Sequence, residues 1–226
     1  MKTEDRNTVI DQLLILQGAD NSGHGLDHVY RVLRLAREFA EELKDADRDT
    51  VELIALLHDA DDYKLTGRKD GSLENAERIL NLITITDGQK KKVLQGISTI
   101  GYSKRLSGIT PDTPEAAIVS DADMCDASGI TGVLRAYQYN MKFNAPFFDE
   151  DVMPMDEIDV GFYKSDLTTA VNHLFEKILR LKDLMLTEPG RREAVRRHEA
   201  VVSFLDAYFR EQQVTEEWRK LLDKYR

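Results

Sequence analysis

The sequence predicts an all-α protein. Apolar residues recur three or four positions apart along almost the whole chain, which is the spacing of the buried face of an α-helix. The alternation of apolar and polar residues that indicates half-buried β-strands is scarce. The 226 residues are 42% hydrophobic and 32% charged, a length and composition that fit one compact domain. We therefore expect a single helical domain over residues 1–226.

Five helices are predicted in the first hundred residues. Their segments are residues 9–16, 29–43, 49–59, 73–82 and 87–100. Asp49 is the predicted N-cap of the third helix, because Glu52 follows three residues later as in a capping box. The apolar residues of this third helix lead directly into the pair His58-Asp59.

A second group of helices is predicted after a loop over residues 101–114, which is rich in Gly, Ser and Pro. Thr113-Pro114-Glu115 combines an N-cap, a proline at the first helical position and an acid in the first turn. This signal predicts the start of a sixth helix that runs to Met124, and a seventh helix is predicted near residues 130–142. The acidic residues 149–160 are predicted to form an irregular loop, which is either solvated surface or a lid.

Residues 164–226 are predicted to form a helical C-terminal extension. Two long helices are expected over residues 164–186 and 188–212, followed by a short helix that ends at Tyr225. We expect this extension to serve as a subdomain or as a lid beside a core of about residues 20–145.

Charge and cysteine content restrict the partners and the location of the protein. The formal net charge of −10 argues against a nucleic-acid polymer or an anionic membrane as the main partner, because both attract basic surfaces. Cys125 is the only cysteine, so an intrachain disulfide is excluded and a reducing compartment is expected. The sequence lacks an apolar signal segment and a run of about 20 apolar residues, so we expect a cytoplasmic protein. A homodimer is compatible with these properties.

Histidine and aspartate residues mark the ends of three predicted helices. His28 lies near the start of the second in "GHGLDHVYRV", His58-Asp59 ends the third in "LLHDADDYKL", and Asp123 ends the sixth in "VSDADMCDASG". Two imidazoles and two carboxylates suit one divalent ion (Mn, Mg, Fe, Co, Ni or Zn) and leave positions open for water and substrate. The helix macrodipole disfavours an anion such as Asp59 at a helix C-terminus, which indicates a compensating cation. Each residue alone also fits a hydrogen-bonded structural position, and Asp121 is an alternative to Asp123.

The pattern of His28, His58-Asp59 and Asp123 resembles the signature of the HD-domain phosphohydrolase superfamily. Members are all-α, metal-dependent enzymes that cleave phosphate esters and anhydrides, and the resemblance implies that these four residues bind the ion. Over roughly residues 20–212 the chain is also similar to a small bacterial subgroup of predicted HD-superfamily hydrolases. The segments that carry this similarity are "GHGLDHVYRV", "LLHDADDYKL", "VSDADMCDASGI" and "HLFEKILRLKDLMLTEPGRREAVRRHE". Some members of that subgroup hydrolyse nucleoside triphosphates to monophosphates and pyrophosphate.

Two differences refine what the resemblance implies. Met124-Cys125 stands where the subgroup usually has an Arg-Leu pair, so details of substrate recognition are expected to differ. Binuclear members of the superfamily use additional histidines between the His-Asp pair and the last Asp. Residues 60–122 contain no histidine, so we expect a single ion.

Polar residues beside the expected ligands suggest further roles. The ion is expected to lower the pKa of a bound water and to neutralise charge on phosphoryl oxygens. Asp59 is expected to orient that water, and Asp62, about one turn further, to accept its proton or to hydrogen-bond a ligand. Lys64 is expected to hold the phosphate as a point charge. Asp61 is predicted to be plain solvated surface.

Arg31 and His24 each have two interpretations. Arg31 lies three residues after His28 on the same helix face, and is predicted either to bind phosphate or to pair with a carboxylate. His24 is predicted either to contact the substrate or the attacking water, or to form a hydrogen bond where the helix begins. We expect a nucleoside triphosphate pyrophosphohydrolase whose partner is a small-molecule phosphate substrate. A nucleoside monophosphate phosphatase and a non-catalytic nucleotide-binding module are the alternatives.

Overall fold

The structure, a computed structural model, describes residues 1–17, 25–68, 70–155 and 168–226. Helices dominate these ranges, and no β-strand occurs within them. The all-α prediction is therefore confirmed. None of the described helices is both long enough and apolar enough to cross a membrane.

The chain forms two compact units, Met1–Asp123 and Met124–Arg226. The helices of the first unit, the last of which ends just beyond it, are α1 (Thr3–Gln17), α2 (Leu26–Glu42), α3 (Arg48–Leu57), α4 (Tyr63–Thr66), α5 (Glu74–Leu80), α6 (Asp87–Thr99), α7 (Tyr102–Leu106) and α8 (Pro114–Asp126). The helices of the second unit are α9 (Gly129–Lys142), α10 (Ala170–Glu176), the 3₁₀ helix Ile178–Leu184, α11 (Glu188–Gln212) and α12 (Glu216–Asp223).

Helix α3 is the centre of the first unit. It packs against α1, α2 and α6, and the side chains of Ile54, Leu56 and Leu57 are fully buried. Helix α6 approaches α3 closely at Gly96, where an added Cβ would lie 2.7 Å from Cδ1 of Ile54. Because α3 packs against other helices on several sides, its C-terminal end is fixed in position, and so is the beginning of the segment that follows it.

The N-cap of α3 is Asp47, so the prediction of Asp49 was wrong. The Asp47 carboxylate accepts a hydrogen bond from the backbone N–H of Thr50 at 2.7 Å. Burial raises the pKa of Asp47, but the hydrogen bonds from Thr50 outweigh it and hold the pKa below its ordinary value. Glu52 does not complete a capping box, because its carboxylate accepts hydrogen bonds from the guanidinium groups of Arg6 and Arg37.

Two other predicted segments differ from the structure. Residues 101–114, predicted as a loop, contain the short helix α7, which begins after Gly101 with a φ of +119°. The helix predicted over 164–186 is helical but not continuous in its described part: α10 ends at Glu176, Lys177 leaves the helical conformation with φ −131° and ψ −61°, and the 3₁₀ helix Ile178–Leu184 follows. The carbonyl of Phe175, near this break, accepts a hydrogen bond from Nε of Arg180 at 2.9 Å. Residues 164–167 lie outside the described ranges.

The second unit is organised around aromatic side chains. Trp218 is fully buried, and its ring centre lies 5.0 Å from that of Phe148 and 5.6 Å from that of Phe209. Its indole N–H donates to the carbonyl of Glu150 at 3.0 Å, which ties α12 to the acidic segment. Residues 149–155 contain no helix, as predicted, and residues 156–160 lie outside the description.

Cys125 lies at the start of the second unit and is fully buried. Its thiol donates a weak hydrogen bond to the carbonyl of Gly190, with a sulfur–oxygen distance of 3.8 Å. The carbonyl of Cys125 accepts a hydrogen bond from Arg197 at 2.7 Å. The thiol is therefore part of the packing of this unit.

Candidate metal centre

Three helical segments of the first unit bring His28, His58, Asp59 and Asp123 together. His28 lies in the first turn of α2, where its backbone N–H donates to the carbonyl of Gly25 at 3.0 Å. His58 is the C-cap of α3, and Asp59 follows in the turn. Asp123 lies in the last turn of α8. The apolar stripe of α2 packs against α3, and this packing places the two histidines next to each other.

The distances between donor atoms are short. The Nε2 atoms of His28 and His58 are 3.2 Å apart. The nearest carboxylate oxygen of Asp59 lies 3.4 Å from Nε2 of His28 and 3.6 Å from Nε2 of His58. The nearest Asp123 oxygen lies 3.5 Å from His28 and 4.0 Å from His58. These atoms therefore surround one small volume.

A hydrogen bond fixes the ring of His58. Its Nδ1 lies 2.8 Å from the carbonyl oxygen of Ala55, one turn back in α3, and must donate the proton because a carbonyl only accepts. In the neutral ring this leaves a lone pair on Nε2, the atom that faces His28. A ligand histidine is usually held by its second nitrogen in this way.

The donor set fits a divalent cation. Neighbouring ligand atoms of an ion with bonds of about 2.1 Å lie about 3 Å apart in octahedral geometry and about 3.4 Å apart in tetrahedral geometry. His28, His58 and Asp59 satisfy the spacing required of a metal-binding group. The carbonyl end of α3 adds partial negative charge beside them, which also favours a cation.

The two faces of this cluster differ in exposure. The side chains of His28 and His58 are 1% exposed, whereas those of Asp59 and Asp123 are 14% and 21% exposed. Water and substrate can therefore approach from the carboxylate side, while the imidazoles are held by the core.

Asp121 and Asp123 were alternatives for the fourth ligand. The carboxylate of Asp123 lies beside both histidines, and Asp121 is fully buried. Residues two positions apart on an α-helix point roughly 200° apart around the helix axis. The side chains of Asp121 and Asp123 therefore leave α8 in nearly opposite directions. The geometry favours Asp123.

Asp61 is not solvated surface, and that prediction was wrong. Its side chain is 3% exposed, and its carboxylate accepts hydrogen bonds from the backbone N–H groups of Asn75 and Ala76, each at 2.9 Å. Arg68 donates to the same carboxylate at 2.9 Å. Leu73, the N-cap residue of α5, makes no side-chain capping bond, so the distant Asp61 supplies the cap. A leucine at an N-cap position is the one sequence signal for such a long-range cap.

The remaining predicted site residues are located as follows. Asp62 is partly buried, and its backbone carbonyl accepts the N–H groups of Leu65 and Thr66, so it directly precedes α4. Lys64 belongs to α4, but its side chain lies outside the description, as does the whole of His24. For Asp62, Lys64 and His24, the expected roles stay predictions.

Arg31 pairs with a carboxylate, which was one of its two interpretations. Its guanidinium donates to Asp27, one turn earlier in α2, at 2.6 Å. Burial raises the pKa of Asp27, but the hydrogen bond and the charge of Arg31 outweigh it, so the pKa lies below its ordinary value. Arg31 is 30% exposed, so this surface pair contributes little to stability.

Comparison with known proteins assigns the family. The family model of the HD domain matches residues 25–128, which include all four residues of the cluster. YpgQ of Bacillus subtilis is 31% identical over 188 residues, which are 82% of this chain and 83% of YpgQ. A crystal structure of YpgQ in complex with ADP covers 90% of this chain and 97% of its own, with 26% identity and a TM-score of 0.69.

Two further crystal structures agree with this assignment. A Lactobacillus plantarum protein is 28% identical with a TM-score of 0.81, and covers 94% of this chain and 98% of its own. An HD-superfamily hydrolase from Bacillus thuringiensis is 25% identical with a TM-score of 0.72, at the same coverage of 94% and 98%.

The chain belongs to the HD-domain family and is a metal-dependent phosphohydrolase of that superfamily. Within the family it is similar to YpgQ over most of both chains.

Proposed function

We propose that the chain hydrolyses nucleoside triphosphates to monophosphates and pyrophosphate, with one divalent ion held by His28, His58, Asp59 and Asp123. The observation that carries the proposal is the convergence of these side chains, with the two imidazole nitrogens 3.2 Å apart and carboxylate oxygens 3.4–4.0 Å from them. The complex of the similar YpgQ with ADP supports a nucleotide as the substrate class.

The surroundings of the cluster suit metal-assisted hydrolysis. When bound, the ion supplies an activated water and stabilises negative charge on phosphoryl oxygens. The buried imidazoles exclude solvent on one side, and the more exposed carboxylates of Asp59 and Asp123 leave the other side open. We propose that Asp59 orients the attacking water and that Asp62, three residues beyond it, accepts a proton. Lys64, two residues further, is proposed to hold a phosphate group.

The direct test is product analysis over a panel of nucleotides with Mn²⁺, Mg²⁺, Co²⁺ and Ni²⁺. We expect pyrophosphate from triphosphates, and no turnover after the metal is removed. Inorganic phosphate from nucleoside monophosphates would support a phosphomonoesterase instead. Nucleotide binding without cleavage by any metal-loaded form would support a binding module.

A pair of matched variants tests the site. Asp59→Asn keeps the shape of the side chain and removes a ligand charge, and we expect its turnover to fall at least about 100-fold. Asp45→Asn makes the same change on an exposed turn of the same unit, and we expect wild-type turnover. Equal activity of the two variants would contradict the assignment of the metal centre.

A further inference from the structure

The last turn of α8 carries Asp123 but has an unfavourable charge for the end of a helix. It contains the acids Asp123 and Asp126 and no basic residue. The C-terminal end of a helix carries partial negative charge, and its last carbonyls have no partner within the helix. Acids at this end therefore favour fraying, and a ligand in a frayed turn binds an ion poorly. Groups from outside α8 have to stabilise the turn that holds Asp123.

The carbonyl oxygen of Cys125, two residues after Asp123, accepts several hydrogen bonds that support this turn. The backbone N–H of Ser128 donates to it at 3.0 Å, and the hydroxyl of Ser128 donates at 2.8 Å. The guanidinium of Arg197, in α11, donates to the same oxygen at 2.7 Å. Ser128 is local and neutral, whereas Arg197 lies 72 residues away in sequence and brings the positive charge that a helix C-terminus favours.

The side chain of Arg197 is held in place for this hydrogen bond. Its Nε donates to the carboxylate of Glu193, one turn earlier in α11, at 2.6 Å, and the side chain is only 13% exposed. Burial raises the pKa of Glu193, but the hydrogen bonds from Arg196 and Arg197 outweigh it and keep the carboxylate charged at neutral pH. The stem of Arg197 occupies the space beside Gly129, where an added Cβ would lie 3.1 Å from its Cγ. The guanidinium therefore loses little freedom when it binds the carbonyl of Cys125.

We propose that Arg197 positions Asp123, as a ligand of the metal centre proposed above, by holding the last turn of α8 in helical form. Arg135 donates to the side chain of Asp126 at 3.0 Å and so compensates the other acid, whereas Arg197 binds the backbone of the turn. Asp123 needs this support because its side chain is 21% exposed and is less enclosed than the imidazole of His28, which is 1% exposed.

This role leads to a particular dependence on the metal. A protein whose binding-competent state is only partly populated has an apparent affinity reduced by that fraction. If loss of Arg197 leaves the last turn of α8 formed about a tenth of the time, the affinity for Mn²⁺ falls about 10-fold. An excess of Mn²⁺ then restores the turn, because the ion favours the state in which Asp123 is in place. Arg197 should therefore change the metal concentration that is required and leave turnover at saturating metal unchanged.

The test is the affinity for Mn²⁺, measured by calorimetry, together with turnover of a nucleoside triphosphate over a series of Mn²⁺ concentrations. We expect Arg197→Gln to bind Mn²⁺ about 10-fold more weakly and to recover wild-type kcat at saturating Mn²⁺. Arg196→Gln is the matched control, because Arg196 donates to the same Glu193 at 2.7 Å but is 70% exposed. It should bind Mn²⁺ as the wild type does. Arg197→Lys keeps the charge and should have an affinity between those of Arg197→Gln and the wild type.

Wild-type affinity in Arg197→Gln would overturn the proposal, and so would a kcat that stays low at saturating Mn²⁺. Asp123→Ala separates this result from a failure of the metal centre itself. Loss of affinity in Asp123→Ala but not in Arg197→Gln would contradict the role of Arg197 alone, whereas wild-type affinity in both would contradict the metal centre as well. Thermal melting without metal checks that each variant folds, and Arg197→Met, which keeps the stem beside Gly129, replaces Arg197→Gln if it does not.

Discussion

The carboxylate of Asp61 connects the turn that carries His58 and Asp59 to the first turn of α5. It binds two successive backbone N–H groups of that helix, at Asn75 and Ala76, while the side chain of Asn75 donates to the carbonyl of Ala60 at 3.0 Å. The residues directly after the His-Asp pair are therefore bonded in two places. This role could not be predicted from sequence, because the partners lie 14 and 15 residues away and an acid in a polar stretch has the composition of solvated surface.

We expect Asp61→Asn to weaken both the fold and the metal site. The NH₂ group of the asparagine would face N–H donors whose hydrogen bonds the carboxylate accepted. The lost hydrogen bonds should lower the free energy of unfolding by about 1–3 kcal/mol. Because the turn then loses a support, Mn²⁺ affinity measured by calorimetry should fall about 10-fold or more.

Asp70→Asn is the control for this change, because Asp70 is exposed and its carboxylate accepts a hydrogen bond from the N–H of Ser72, two residues further along the chain. It should leave Mn²⁺ affinity unchanged. If Asp61→Asn also left the Mn²⁺ affinity unchanged, Asp61 would support only α5 and not the metal site.

Glu52 is a second carboxylate with a structural role, and its side chain is partly buried. Burial raises the pKa of Glu52, but hydrogen bonds from Arg37 and Arg6 outweigh it and hold the pKa below its ordinary value of 4.5. A lowered pKa in the folded state means that the charged form stabilises the protein. The contribution is therefore complete at neutral pH and is lost as the pH falls below about 4.5 toward the folded-state pKa.

We expect Glu52→Gln to lower the free energy of unfolding at neutral pH by about 1–2 kcal/mol, since charge-assisted hydrogen bonds are lost. Urea unfolding at a series of pH values should show the difference from wild type shrinking below about pH 4.5. Glu38→Gln, in an exposed pair with Arg34, should have little effect at any pH. A difference that is constant with pH would contradict this account.

Whole helices were predicted more reliably than their ends. The start of α8 was predicted correctly at Thr113-Pro114, because its cap is local: Oγ1 of Thr113 accepts the N–H of Ala116 at 3.2 Å. The break at Lys177 was missed, because no glycine or proline marks it. There the 3₁₀ helix and α11 pack against each other, and tertiary packing overrides the helical pattern of the sequence.

Helix α9 begins so close to the preceding chain that one of its glycines has no room for a side chain. An added Cβ at Gly132 would lie 2.4 Å from the carbonyl oxygen of Ala127, which is backbone and cannot turn away. We expect Gly132→Ala to lower the free energy of unfolding by about 2 kcal/mol or more.

Gly88→Ala, in the first turn of α6, is expected to change the free energy of unfolding in the opposite direction. An added Cβ there meets nothing within 4 Å, so alanine should stabilise the protein by about 0.4–1 kcal/mol through its better helix propensity. Chemical denaturation of both variants measures the contrast. A stable Gly132→Ala protein would mean that α9 can shift away from Ala127.

At the scale of the whole molecule, the metal centre links segments that are far apart in sequence. His28 and His58 are 30 residues apart, and Asp123 comes from a third helix. The order of His, His-Asp and Asp, together with the resemblance to the HD signature, predicted which side chains meet, because each lies at or beside the end of a predicted helix. The support from Asp61 and Ala55 was not predictable, since it depends on hydrogen bonds that only the folded chain defines.

An ion that binds only the folded state must stabilise the unit that holds its ligands. At a Mn²⁺ concentration about 100 times the dissociation constant, the expected gain is about 2.7 kcal/mol, which a thermal melt records as a higher midpoint. Asp123→Ala should lose this gain, whereas Asp45→Ala, on an exposed turn, should keep it. A wild-type midpoint that does not respond to Mn²⁺ would argue against the site.

Because Cys125 is buried, its reactivity can be used to measure transient opening of the structure around it. As the sole cysteine, with its thiol fully buried against Gly190, it should resist alkylating reagents while the protein is native. Labelling then requires this part of the second unit to open transiently, so the labelling rate reports how often it does. Conversely, a cysteine introduced on the surface would be the single reactive position for a fluorophore or a spin label, with no need to remove the native thiol.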